Sequence, residues 1–124
     1  MTQPQSQVLK EVKARHILVK HKGSRRPLSW KDPEGLNIRK RSVEEATSML
    51  RDMRSRIKTQ EDFAKVANTS SDCSSAKKGG DLGTFGRGKM QQLNFEKAAF
   101  GLSVGGLSDV VSTDSGVHLI MRTA

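Results

Sequence analysis

ARHILVKH, residues 14–21, is the stretch on which the fold turns. Its aliphatic and β-branched residues suit a strand. Period-two alternation puts His16, Leu18 and Lys20 on one face and Arg15, Ile17, Val19 and His21 on the other. Upstream, residues 1–9 are Gln-rich and polar, a composition that predicts a disordered tail. Downstream, residues 22–41 hold Gly23, Pro27, Pro33 and Gly35 among many charges, which predicts a long loop. Loops beyond about 15 residues in a compact domain are functional or mobile.

Further along, Ser42-x-x-Glu45 is a capping box that opens a helix, with Val43, Ala46, Leu50, Met53 and Ile57 at helical spacing behind it. Thr59, followed by Glu61 and Asp62, starts a shorter helix that turns Phe63, Val66 and Ala67 inward. Ser, Gly and Lys dominate residues 70–88 around a short strand at Leu82–Phe85. Asn94 is the candidate cap of a third helix carrying Phe95, Ala98, Ala99 and Leu102 on one stripe. Leu107–Ser112 and Gly116–Arg122 read as two strands joined by a turn, the second with His118 and Ile120 on one face. The order β, α, α, β, α, β, β predicts an α+β domain, one mixed or antiparallel sheet with helices around it. With hydrophobic residues at 34% of 124, there is one modest core and no room for a second.

Charge is lopsided. Residues 1–41 hold eleven Lys and Arg against three acids, a net of +8 in a chain whose total is +9. Such an excess fits a solvated basic tail, a nucleic-acid surface or a specific anion pocket. Nothing approaches the ~20 apolar residues of a membrane span. MTQPQSQ lacks the apolar stretch of a signal peptide. The single cysteine, Cys73, has no intramolecular partner, so a reducing compartment, cytoplasm or nucleus, is expected.

Two kinds of chemistry find little support. His16 and His21 point to opposite faces of their strand and cannot share a metal, and closely spaced ligand pairs are lacking. Cys73 with a histidine would make a nucleophile, yet DCSSAKKGG at 72–80 matches no thiol-hydrolase signature. An inert, buried thiol is the plainer reading.

Four stretches taken together carry a resemblance: ARHILVKH at 14–21, SRRPLSW at 24–30, SDCSSAKKGGDLGTFGRGKMQ at 71–91 and TDSGVHLIMRT at 113–123. They resemble the parvulin family of peptidyl-prolyl cis/trans isomerases, and within it the Pin-type branch that acts after phosphorylated serine or threonine. The similarity runs from about Val12 to Thr123, and residues 10–124 are taken as the isomerase domain. The resemblance implies a parvulin-like (FKBP-like) fold, a four-stranded, mainly antiparallel sheet surrounded by four helices. It also implies roles. His16 and His118 would be paired histidines beneath the active site, joined directly or through Ser115 and Thr113. Cys73 would sit beside the twisting amide and Gln91 would touch the substrate backbone. Leu82, Met90 and Phe95 would grip the proline ring. Lys20, Arg25 and Arg26 would bind the phosphate, which gives the lopsided charge a specific meaning.

By the same resemblance the enzyme would need no cofactor and no metal. It would work as a monomer on phosphoproteins carrying phosphoSer/Thr-Pro, with no membrane and with nucleic acid not expected as a partner. Two departures stand out. The loop after Trp30 gains the DPEGLN region, and Leu93-Asn94 lengthens the segment before Phe95 by one residue. Nine polar residues at the N-terminus cannot supply the WW module found in many relatives, so phosphate selectivity is expected within the catalytic domain.

Overall fold

The structure, a computed structural model, describes residues 10–89 and 92–124. Its centre is an antiparallel sheet in the order β2-β1-β4-β3. These strands are β1 (Glu11–Val19), β2 (Asp81–Gly86), β3 (Val111–Thr113) and β4 (Gly116–Arg122). β1 and β4 are the two inner strands, in register from Ala14↔Arg122 to Val19↔Val117. Because side chains alternate across a strand, these two strands serve both faces. Ile17, Val19, Val117 and Leu119 pack under α1 (Val43–Ser55) and α2 (Gln60–Ser70). Val12, Ala14 and Ile120 pack on the other face with Phe85, Phe95 and Phe100, the last two on α3 (Leu93–Phe100). His16 and Leu18 share that second face by parity, so the strand whose alternation decides the fold also delivers a histidine to the α3 side.

Capping holds the two long helices where the sequence places them. Ser42 Oγ accepts the Glu45 N–H at 3.0 Å, and Glu45 accepts the Ser42 N–H at 2.9 Å. Thr59 and Asp62 repeat the arrangement on α2. The inward stripe of α1 narrows to Ala46, Leu50 and Met53, because Val43 in its first turn stays 38% exposed. Each fully buried Leu or Phe contributes roughly 1.5–3 kcal/mol, so Leu50 and Phe63 anchor their helices.

Three local readings change. α3 begins at Leu93, not after Asn94, and its cap residue, Gln92, makes no side-chain cap bond. The Asn94 amide donates instead to the Ser112 carbonyl at 3.1 Å. The strand expected over 107–112 shortens to β3, with an isolated bridge at Leu107↔Met121. Ser108 Oγ donates to the Asp109 carbonyl, and Asp109 accepts the Val110 N–H, so local side chains compete with the ladder. Finally, three α-helices are present among the described residues where four helices were expected. Ser74–Lys78 is only a 3-10 turn, closed by Gly79 and Gly80 at φ 66° and 81°. No helix among the described residues is long and apolar enough to cross a membrane.

Gly80 is required by contact as well as by φ. Its carbonyl accepts the His16 N–H at 2.9 Å, and a Cβ on it would lie 2.3 Å from the His16 carbonyl oxygen. Gly80→Ala is therefore expected to destabilise the fold by about 3 kcal/mol, read as a lowered denaturant midpoint at unchanged m-value. An unchanged midpoint would show that β1 and β2 do not need this close approach.

Candidate active site

His16 on β1 and His118 on β4 are diagonal neighbours, since His16 lies opposite Ile120 and His118 opposite Leu18. Both rings are buried and stacked, 5.2 Å between centroids, with Nδ1 facing Nδ1 at 3.1 Å. Phe95 presses edge-on against both. His118 Nε2 meets Thr113 Oγ1 at 2.6 Å, and Thr113 Oγ1 accepts the Ser115 N–H at 3.1 Å. Burial first, then the neighbouring His16, pushes the His118 pKa from 6.5 down to about 3. A neutral His118 carries one ring proton, so the pair has two arrangements. Either His118 Nδ1–H donates to His16 and its Nε2 accepts from Thr113, or His16 Nδ1–H donates and His118 Nε2–H points at Thr113. A neutral His118 is thus a directional hydrogen-bond link between His16 and Thr113.

Cys73 sits half-buried at the rim of this pair. Burial opposes ionisation of its thiol, yet His16, then Ser75, brings its pKa from 9.0 down to about 6. His16 Nε2 lacks a well-formed hydrogen bond, so His16 acts on the sulfur as an electrostatic neighbour. Cys73 and Ser115 stand between two concavities. One, about 310 Å³, is lined by His16, Leu82, Phe95 and His118, with Lys89 and Gln92 at its edge. The other, about 360 Å³, is lined by Lys20, Arg25, Arg26, Leu28 and Trp30, with Asp72 in its wall. Met90 and Gln91, both expected at the site, lie outside the described residues.

The basic concavity is built around one carboxylate. Asp72 is buried; its Oδ2 accepts the Lys20 N–H at 2.8 Å and its Oδ1 accepts the Ser29 hydroxyl at 3.0 Å. Arg41 approaches it at 3.5 Å and Lys31 at 3.8 Å. Next to it, Ser71 accepts the Trp30 indole N–H on its carbonyl at 2.9 Å. Across the cavity, the Arg25 N–H donates to the Asp114 carbonyl at 2.8 Å. Lys20 is not a free cation: its ammonium donates to the carbonyls of Arg26 and Leu28 at 3.0 and 2.8 Å, leaving one N–H for a ligand. Burial, offset by Asp72 and reinforced by Arg26, lowers its pKa. Arg25 and Arg26 remain exposed.

The structure brings His16, Cys73, Ser115, His118, Leu82 and Phe95 together, with Lys20, Arg25 and Arg26 beyond Cys73. The extra residue before Phe95 leaves that ring fully buried against the histidines. Sequence reasoning missed Asp72, Ser29, Gln92 and Lys89. Asp72 lies inside a quoted motif, but no spacing signal links it to Lys20 or Ser29, 52 and 43 residues away. Among the described residues, no group of three or more His, Cys, Asp or Glu is arranged to hold a metal ion.

Comparison with known proteins points one way. The family model for the rotamase, PPIC-type PPIase domain, matches residues 16–124. The chain is 56% identical over 115 residues to peptidyl-prolyl cis-trans isomerase Pin1 of Arabidopsis thaliana, covering 92% of this chain and 96% of that one. It is 50% identical over 115 residues to peptidyl-prolyl cis-trans isomerase ESS1 of Saccharomyces cerevisiae, covering 90% of this chain and 64% of the relative. Among solved structures, the peptidyl-prolyl isomerase ESS1 from Candida albicans superposes with a TM-score of 0.83 at 42% identity, covering 93% of this chain and 63% of that chain.

Two expectations arise from the geometry. A buried base whose pKa falls from 6.5 in the unfolded chain to about 3 in the fold contributes stability above pH 6.5 that is lost as pH falls toward 3. Between those values stability should fall by about 1.4 kcal/mol per pH unit from this group. His118→Gln should flatten that slope in urea midpoints measured across pH 6.5 to 4. Asp72→Asn should lower stability by about 3 kcal/mol in the same assay, because an amide offers one acceptor oxygen for both the Lys20 N–H and the Ser29 hydroxyl and removes the charge facing Arg41. A midpoint within error of the parent would mean that solvent replaces the carboxylate freely.

Proposed function

The chain belongs to the parvulin-type, PPIC-type family of peptidyl-prolyl cis/trans isomerases, and from that membership we propose that it isomerises prolyl bonds preceded by phosphorylated serine or threonine. The observation that carries the reading is the pair of concavities meeting at Cys73 and Ser115, one apolar and histidine-floored, the other ringed by Lys20, Arg25 and Arg26. Adjacent residues of a peptide, a phosphoserine and a proline, fit these two neighbours in that order.

In this reading Arg25 and Arg26 hold the phosphate with fork-like donors, and the one free N–H of Lys20 completes the cradle. Leu82 and Phe95 enclose the proline ring. The prolyl bond resists rotation by about 18–20 kcal/mol because nitrogen lone-pair density is shared with the carbonyl. Catalysis then consists of favouring the twisted state over both planar ones. A poorly solvated pocket disfavours the charge-separated planar amide, and a Cys73 sulfur with a pKa of about 6 adds negative potential beside it. His16, His118, Thr113 and Ser115 hold the floor beneath that sulfur as one hydrogen-bonded chain. Fixing the phosphate on one side and the ring on the other confines motion to one bond. No nucleophile, cofactor or metal enters. The substrates proposed are phosphoproteins, and the compartments proposed, from the single unpaired cysteine, are the cytoplasm and nucleus.

The Arg25→Ala/Arg26→Ala variant tests the proposal. Exposed charge contacts contribute about 1 kcal/mol each, so kcat/KM on a phosphoSer-Pro peptide should fall roughly thirtyfold. The unphosphorylated peptide should be turned over as before. Equal slowing of both peptides would assign the arginines to loop structure and remove phosphate recognition from the account.

A further inference from the structure

Beyond the two concavities lies a third that shares a residue with the histidine-floored one. Lys89 lines the edge of the histidine-floored pocket and also an open trough of about 700 Å³, with Lys10, Glu11, Gly86 and Arg87. Three cations thus face one carboxylate. Lys10 and Lys89 are exposed and make no ion pair with the described residues. Arg87 lies with its guanidinium 4.3 Å over the Phe100 ring, which fixes its charge beside the trough. The nearby Glu96 is buried and accepts the Gly88 N–H, so it holds the turn rather than quenching the lysines.

β1 orders the three concavities. Lys20, just beyond its C-terminal end, lines the basic cavity; His16 floors the pocket; Lys10, just before its N-terminal end, lines the trough. We propose that the trough formed by Lys10, Arg87 and Lys89 is a substrate subsite that selects acidic residues on the C-terminal side of the proline. The direction rests on the reading above: with phosphoserine at the Lys20 end and proline over His16, the substrate runs antiparallel to β1 and its following residues leave toward Lys89 and Lys10. From His16 to Lys10 is six strand positions, roughly 20 Å, a span covered by about six extended residues. Lys89 meets the first of them and Lys10 the later ones, while Arg87 adds positive charge from its place over Phe100. Glutamate, aspartate or a second phosphorylated residue complements that field, and lysine opposes it.

The test uses the whole chain and four peptides: Ser-Pro or phosphoSer-Pro, each followed by six Glu or by six Lys. The expected result is a kcat/KM about fivefold higher for the Glu form than for the Lys form at low salt. That ratio should fall toward one at about 1 M salt, where screening acts within about 3 Å. Lys10→Glu/Lys89→Glu should invert it. A wild-type ratio of one, or a ratio that charge reversal leaves unchanged, overturns the subsite. Should the reversed variant fail to fold, the wild-type ratio and its salt dependence decide alone. A missing preference for phosphoserine in the same peptide set removes the reading of the basic cavity, whereas a flat Glu-to-Lys ratio removes only the trough.

Discussion

Asp72 is the constraint on which the site depends. A carboxylate nearly sealed from water carries a desolvation penalty of several kcal/mol, and it persists only where its acceptor sites are filled. Here they are filled from three directions in sequence: the backbone at Lys20, the hydroxyl of Ser29, and the guanidinium of Arg41. The backbone N–H of Asp72 itself donates to the Leu18 carbonyl at 2.7 Å, so the carboxylate is fixed to the sheet. The residue after it is Cys73. The position of the thiol and the shape of the basic loop are therefore set by one anchor, and neither can shift without the other.

The second constraint is the uncharged state of His118. A ring that burial holds neutral can take part in a chain of single-proton hydrogen bonds, from His16 through His118 to Thr113 and the Ser115 backbone. Each member orients the next, and Phe95 packs edge-on against both rings. Burial is what keeps the His118 imidazole neutral.

Much of this was legible in the sequence because it rests on local rules. Period-two alternation put His16 and Leu18 on one face, and the same rule placed His118 with Ile120, so that two strands paired in the sheet bring the histidines together. The capping boxes at Ser42 and Thr59 fixed two helix starts within a residue. What escaped is non-local or depends on competition. The partners of Asp72 are more than forty residues away. Asn94 resembled a cap, but the Ser112 carbonyl took its amide. Residues 107–110 have strand composition, yet Ser108 and Asp109 satisfy nearby backbone groups themselves. Formal charge likewise does not say which cations are already engaged.

That last point decides what the basic N-terminal third can do. Of its cations, Lys20 closes the loop onto two carbonyls, Arg41 reaches the Lys20 carbonyl and Asp72, and Lys31 leans on the same carboxylate. These charges shape the cavity more than they are offered to solvent. Arg25 and Arg26 are different: the backbone at Arg25 is bonded to Asp114, while both side chains are left exposed. A rigid backbone under two exposed guanidinium groups lowers the ordering entropy lost when an anion is bound. It also makes the field directional, unlike that of a flexible basic tail. The excess of +8 is thus divided into an internal part that builds the loop and an external part that faces a ligand. That division favours one compact dianion at a fixed distance from the histidine-floored pocket over a polyanion spread along a surface. Under the proposed reading, a peptide would be held at its phosphate and at its proline ring, with the prolyl bond between these two anchors.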